Sequence, residues 1–148
     1  MKKQKMIKEY FYEDGSLRDI YIMHASQLDW ESIFEYLDKN NIQYKITKDG
    51  ELVNERAINQ LMKLRQDYSL NISIDYKGIS VSGYFYDADQ IEFDIVPEQI
   101  QTEDAVDSLI EFMKDISKQI NKEVILTEEL DIENECFRVT PSGTINFL

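Results

Sequence analysis

The stretch Leu70 to Val96, LNISIDYKGISVSGYFYDADQIEFDIV, alternates apolar and polar residues over three successive runs. Strict alternation puts every second side chain on one face of an extended chain, so each run reads as a half-buried strand. Two short connections separate the runs, Lys77-Gly78 and Asp87-Ala88-Asp89. With Lys77-Gly78 as a two-residue turn, Tyr76 opposes Ile79, Ile74 opposes Val81 and Ile72 opposes Gly83. With a three-residue turn over 87–89, Tyr86 opposes Gln90, Phe85 opposes Ile91, Gly83 opposes Phe93 and Val81 opposes Ile95. Ile72, Ile74, Val81, Phe85, Phe93 and Ile95 then share one face through all three strands. A slip of one residue would turn that set outward, so the pattern specifies the register. The opposite face carries the rows Asn71–Tyr84–Glu92 and Ser73–Ser82–Asp94. Tyr86, Asp87 and Asp89 form one rim of it.

A sheet with one apolar face needs a second layer to cover it. Residues 28–39, LDWESIFEYLDK, set Trp30, Ile33, Phe34 and Leu37 at helical spacing, with Ser26 or Asp29 as cap. A second helix is expected from Asn54, with Ile58, Leu61, Met62, Arg65 and Tyr68 along its inner stripe. A third follows Pro97, capped by Thr102, with Val106, Leu109, Ile110, Met113, Ile116 and Ile120 inside. Glu103, Asp104 and Asp107 lead this helix and Lys114, Lys118 and Lys122 close it, which complements the macrodipole at both ends. The remaining runs read as strands. Residues 7–13 and 17–23 form a hairpin through Asp14-Gly15, because Asp-Gly between alternating runs is a strong turn signal. Residues 42–48 run to Asp49-Gly50. Residues 123–129, 135–140 and 144–148 follow, the last two joined at Pro141-Ser142-Gly143. The order predicts an α+β fold, a mainly antiparallel sheet with three amphipathic helices on one face. At 148 residues the chain suits a single domain, 1–148, with residues 1–6 expected to fray.

Charge bounds the partner. The chain has 29 acidic and 16 basic residues, a net −13. Four of the lysines lie in the first eight residues, so the other 140 residues hold 12 basic and 29 acidic side chains, a balance of −17. Residues 87–135 alone hold 16 acids against Lys114, Lys118 and Lys122. Such a field repels nucleic acid and anionic membrane and attracts cations. Solubility is the other reading of the same charge. TEELDIENE, residues 127–135, packs five acids into nine residues and reads as a solvated loop or as a second acidic ridge. The single cysteine, Cys136, cannot form an internal disulfide, and MKKQKMIK has no apolar stretch behind it as a secretory signal would. No run approaches the ~18 apolar residues of a membrane span. These features set the expectation of a cytoplasmic protein.

Chemical signatures are absent from the sequence. It holds no GxGxxG, P-loop, GxSxG, CxxC or HExxH. His24 is the only histidine, with no nucleophile or orienting acid recognisable beside it. Asp87, Asp89 and Glu92 lack the ligand spacing and central glycine of a calcium loop. The expectation is no catalytic residue, no metal and no cofactor.

In its whole-chain organisation, the chain resembles the immunity proteins of bacterial polymorphic and contact-dependent toxin systems. The stretches that carry the likeness are GSLRDIYI with the helix DWESIFEYL, and KEVILTEE after the third helix. Those are small, often acidic, cytoplasmic α+β proteins encoded beside a toxin. The resemblance implies a stoichiometric inhibitor with no catalysis of its own, and as partner a cognate toxin domain, often a nuclease. A nuclease needs a basic groove for phosphate. An acidic face bearing tyrosines can fill such a groove and speed association by steering. The candidate binding residues are Tyr84, Tyr86, Asp87, Asp89, Glu92 and Asp94. Two other readings stay open: a non-catalytic adaptor or regulatory domain for another basic protein or peptide, and a small enzyme whose site carries no signature.

Overall fold

A computed structural model describes residues 1–87 and 89–147, and the side chains of all of these except Tyr86 and Asp87. Among the described residues, nine strands form one antiparallel sheet, and four helices cover one of its faces. The elements in chain order are α1 (Lys3–Tyr10), β1 (Arg18–Met23), α2 (Gln27–Lys39), β2 (Gln43–Lys48), β3 (Glu51–Val53), α3 (Ile58–Leu64) and β4 (Leu70–Tyr76). Then come β5 (Ile79–Asp87), β6 (Gln90–Ile95), a 3-10 turn at Pro97–Gln99, α4 (Glu103–Ile120), β7 (Val124–Glu128), β8 (Asp131–Val139) and β9 (Ile145–Phe147). The sheet order is β3-β2-β4-β5-β6-β1-β7-β8-β9. The α+β architecture therefore stands as expected, with four helices rather than three.

The central meander has the expected register. Tyr76 pairs with Ile79, Ile74 with Val81, Ile72 with Gly83 and Asn71 with Tyr84. Across the next pair, Gly83 meets Phe93, Tyr84 meets Glu92 and Ser82 meets Asp94. Ile72, Ile74, Val81, Phe85, Phe93 and Ile95 are all buried. The β5–β6 turn differs from the expectation. Asp87, not Tyr86, pairs with Gln90, and the register shifts between Tyr84 and Asp87. One residue is taken up in an irregularity of the kind that terminates pairing near a hairpin end. Ala88, the middle of the expected turn, lies outside the described residues.

Gly83 sits where two apolar side chains cross the sheet. A Cβ there would lie 2.6 Å from Phe93 Cδ1 and 2.8 Å from Ile72 Cγ2. Glycine is therefore required for close packing at this position. Above it, Trp30 of α2 is fully buried, with ring centroids 4.5 Å from Phe85 and 5.8 Å from Phe93. Phe112 of α4 joins the same cluster, 6.4 Å from Phe93 and 5.1 Å from Tyr76. Burying each such side chain contributes roughly 1.5–3 kcal/mol, so this aromatic seam is a main tie between helices and sheet.

α2 and α4 begin and end as their sequences dictate. The backbone N–H of Ser26 donates to the Asp29 carboxylate at 2.8 Å, the returning half of a capping box. Thr102 Oγ1 accepts from Ala105 N–H at 3.1 Å, and Asn121 ends α4 in the left-handed conformation at φ 56°. The buried stripe of α4 is Val106, Leu109, Phe112, Met113, Ile116 and Ile120, with Ile110 only half-buried. α3 is shorter than expected. It starts at Ile58 and ends at Leu64, and Tyr68 is exposed, its ring 4.3 Å from Lys48 Nζ.

The N-terminal region departs most from its sequence reading. Residues 7–13 are not a strand. Lys3–Tyr10 is helical, and Met6 is buried. Two causes act together. β1 already pairs with β6 on one side and β7 on the other, so it has no free edge for a hairpin partner. The buried Arg18 also claims the carbonyls a strand would have used. Its Nε donates to Tyr10 O at 2.7 Å, its Nη1 to Ser16 Oγ at 2.7 Å and Leu17 O at 2.8 Å, and its Nη2 to Tyr12 O at 3.3 Å. A buried guanidinium must satisfy its donors, and here it does so on loop backbone. Tyr10 then packs on Phe137 at 5.8 Å, which docks α1 on the sheet.

Candidate functional site

The sheet face opposite the helices carries the outward rows of the meander, extended by β1 and β7. Ser73, Ser82, Asp94, Asp19 and Thr127 form one row across five strands. Asn71, Tyr84, Glu92, Tyr21 and Ile125 form the next. β1 supplies Asp19 and Tyr21 because Ile20 and Ile22, one residue out of phase, face the core. Asp19 therefore lies directly opposite Asp94, and Tyr21 opposite Glu92.

Three carboxylates thus meet at the centre of the face, and like charges on opposed positions repel. The Tyr21 hydroxyl donates to Asp19 Oδ2 at 3.2 Å and sits 3.3 Å from Glu92 Oε1. The Leu130 backbone N–H donates to Asp19 Oδ2 at 2.7 Å. Among the described residues no lysine or arginine pairs with Asp19, Glu92 or Asp94. The consequences follow in protonation. Burial, then the charges of Asp19, Glu92 and Glu129, push Asp94 up to about 6. Burial and the Asp19 charge raise Glu92, and burial raises Asp19 itself. Burial beside two carboxylates also raises Tyr21, which keeps its proton and stays a donor.

The second acidic stretch joins this face rather than forming a separate ridge. Glu129 and Leu130 turn the β7–β8 hairpin, and Glu128 pairs with Asp131. The pairing then shifts so that Thr127 meets Glu135, and Ile132, Glu133 and Asn134 bulge out, all exposed. Glu129 Oε2 accepts the Leu17 N–H at 3.1 Å, and Leu130 reaches Asp19. The tip is thereby fastened to the start of β1 beside the carboxylate cluster. On the other flank, Gln43, Lys45, Ser73, Asp75, Ser80 and Ser82 line an open groove of about 430 Å³ on the same face.

Of the residues expected at the site, Tyr84, Glu92 and Asp94 lie on this face, each half-buried. Asp89 is exposed at the β5–β6 turn, where its carbonyl accepts the Ala25 N–H at 2.9 Å. The side chains of Tyr86 and Asp87 lie outside the described residues. Asp19 and Tyr21 were missed. Their parity in DIYI marks them as outward, but the sequence does not show that β1 lies beside β6.

The other chemical candidates are isolated. His24 is exposed, at φ 57°, beside an open depression of about 380 Å³ with Met23, Lys122, Glu123, Ile125 and Arg138. That lining contains no hydroxyl or thiol. Lys122 pairs with Asp29, and Arg138 with Glu123 and Glu135. Cys136 is buried, and burial pushes its thiol up to about 11. Among the described residues no group of three or more His, Cys, Asp or Glu is arranged to hold a metal ion. No helix of the described residues is long and apolar enough to cross a membrane. In comparisons with known proteins, no family model, no curated protein and no solved structure matches this chain.

Proposed function

We propose that the chain is an inhibitor of the immunity-protein kind, which binds a basic toxin domain through the open face of its sheet. One observation carries this reading. Asp19, buried, and Glu92 and Asp94, half-buried, are set on adjacent strands, and among the described residues no lysine or arginine pairs with them. Such a cluster raises the energy of the isolated protein and is relieved when a partner brings lysine or arginine to it. Tyr84, half-buried, supplies rigid area beside the charges, and tyrosine suits a binding face because it orders few rotors. The acidic hairpin tip widens the field that steers a basic partner inward. An adaptor for another basic protein would use the same face, and the identity of the partner separates the two.

The test is binding kinetics against the toxin domain encoded beside the gene, at low and high salt. Glu92→Lys and Asp94→Lys should slow association, and the difference should shrink at high salt. Tyr84→Ala should act on dissociation instead, by about tenfold or more for a central aromatic anchor. Unchanged kinetics in all three folded variants would move the interface off this face. Failure of the wild type to bind the neighbouring product would leave the adaptor reading in its place.

A further inference from the structure

Leu130 stands in a conformation that its side chain opposes. Among the described residues, six other than glycine have positive φ: His24, Asn41, Asp49, Lys77, Asn121 and Leu130. Asn and Asp enter this region readily, through local hydrogen bonds of their side chains. Leu130, at φ 54°, is the only aliphatic one among the described residues. The backbone geometry itself has a cause. The Leu130 N–H points at the buried Asp19 carboxylate, 2.7 Å away. Nothing in that contact asks for leucine, and glycine or asparagine would make it with less strain.

Nor does the isolated chain gain from the side chain, which is 82% exposed. Exposed leucines are ordinary in themselves. Leu28 and Leu52 are 69% and 67% exposed, but on helical and strand backbone that suits them. Leu130 combines exposure with strain, and an observed outlier of this kind points to function. Its surroundings define the partner. Glu128, Glu129, Asp131 and Glu133 flank it in sequence, and Ile132 adds a second exposed apolar group in the bulge. An apolar tip inside an acidic ring complements a cleft that is apolar at its floor and basic at its rim. Docked there, the rim charges would pair while the tip is desolvated, the arrangement typical of binding hot spots.

We infer that Leu130 is the apolar anchor by which the β7–β8 hairpin enters a lysine- or arginine-rimmed cleft on a basic protein partner. The inference rests on the binding role proposed above and names the second half of the contact.

The experiment opposes stability to affinity. Leu130→Gly and Leu130→Asn relieve the strain, so each should raise the melting temperature, by about 2–4 °C. Each should also weaken binding to the neighbouring-gene toxin domain at least tenfold, mainly through faster dissociation. Leu28→Ser, at an exposed position of α2 on the helix-covered side of the sheet, should leave affinity unchanged. Higher stability with unchanged affinity would overturn the anchor while the sheet face stands. A lower melting temperature would show that Leu130 packs within the monomer, which also overturns it. If the wild type does not bind while the variants melt higher, the binding role fails and the anchor falls with it.

Discussion

On the helix-covered side of the sheet, Lys3 meets Asp107 at 2.9 Å, Lys77 meets Glu111 at 2.6 Å, and Lys122 meets Asp29. On the open side, Asp19, Glu92 and Asp94 meet one another, one tyrosine hydroxyl and one backbone N–H. Both sets belong to the same acidic chain. Asp107 and Glu111 sit on the exposed arc of α4, where a lysine can reach them. Asp19 and Asp94 are fixed by register into an opposed pair on adjacent strands, with Glu92 in the next row, so they stay close whatever their rotamers. The net charge of −13 therefore conceals two different roles. One part is compensated surface. The other is held in an uncompensated cluster, which is the part a cationic partner would complete.

The largest effects should come from the layer that makes the open face possible. Leu109→Ala and Met113→Ala remove side chains that are completely buried in α4. Each should cost about 2–5 kcal/mol in chemical denaturation. A loss below about 1 kcal/mol at both would mean the helix layer does not hold the sheet as described. Gly83→Ala comes next. It forces a methyl against Phe93 and Ile72 and should cost about 1–3 kcal/mol, through overpacking rather than a cavity. Phe93→Leu should recover part of that loss by opening the contact, and no recovery would place the strain elsewhere.

The open face should respond with the opposite sign. The folded-state carboxyl of Asp94 titrates near 6, above the ordinary aspartate value of about 3.9. Between those values the folded protein holds more protons than the unfolded chain. The contribution of this group to stability is therefore full below about pH 4 and lost as pH rises through about 6. Asp94→Asn should remove that dependence and stabilise the protein at pH 7, by about 1 kcal/mol after allowance for solvent screening of a half-exposed group. Denaturation midpoints of wild type and variant from pH 4 to 7 read this directly. Equal pH profiles would mean the cluster is not strained.

The smallest effect should come from the compensated side. Lys77 and Glu111 are about half exposed, so Lys77→Ala should change stability by no more than about 0.5 kcal/mol, and less in high salt. A much larger loss would erase the contrast between the two faces.

Much of this contrast was legible in the residues. Alternation over 70–96 was enough for the register of β4, β5 and β6 except at the β5–β6 turn beyond Tyr84, and it placed Glu92 and Asp94 on adjacent outward rows. Helical spacing with Thr102 and the charge gradient defined α4 almost to its ends. The N-terminal segment was misread because IKEYFYE suits either period. Met6, Ile7 and Tyr10 make a helix face as well as Tyr10 and Tyr12 make a strand face. Tertiary competition settled it: β1 had both edges occupied, and Arg18 took the loop carbonyls. The hairpin 124–139 was read as two strands and a solvated loop because its three-residue bulge breaks the alternation that marks a strand.

The sequence by itself determined the α+β class, the facing of the meander and the acidic character of its outward rows. Those depend on local periodicity, which each segment carries within itself. Only the tertiary structure decided that β1 inserts between β6 and β7, bringing Asp19 against Asp94. Only it decided that the 127–135 stretch folds onto the same cluster through Leu130. Strand neighbours distant in sequence are chosen by the fit of whole layers, because backbone hydrogen bonds are alike at every edge and carry no address of their own.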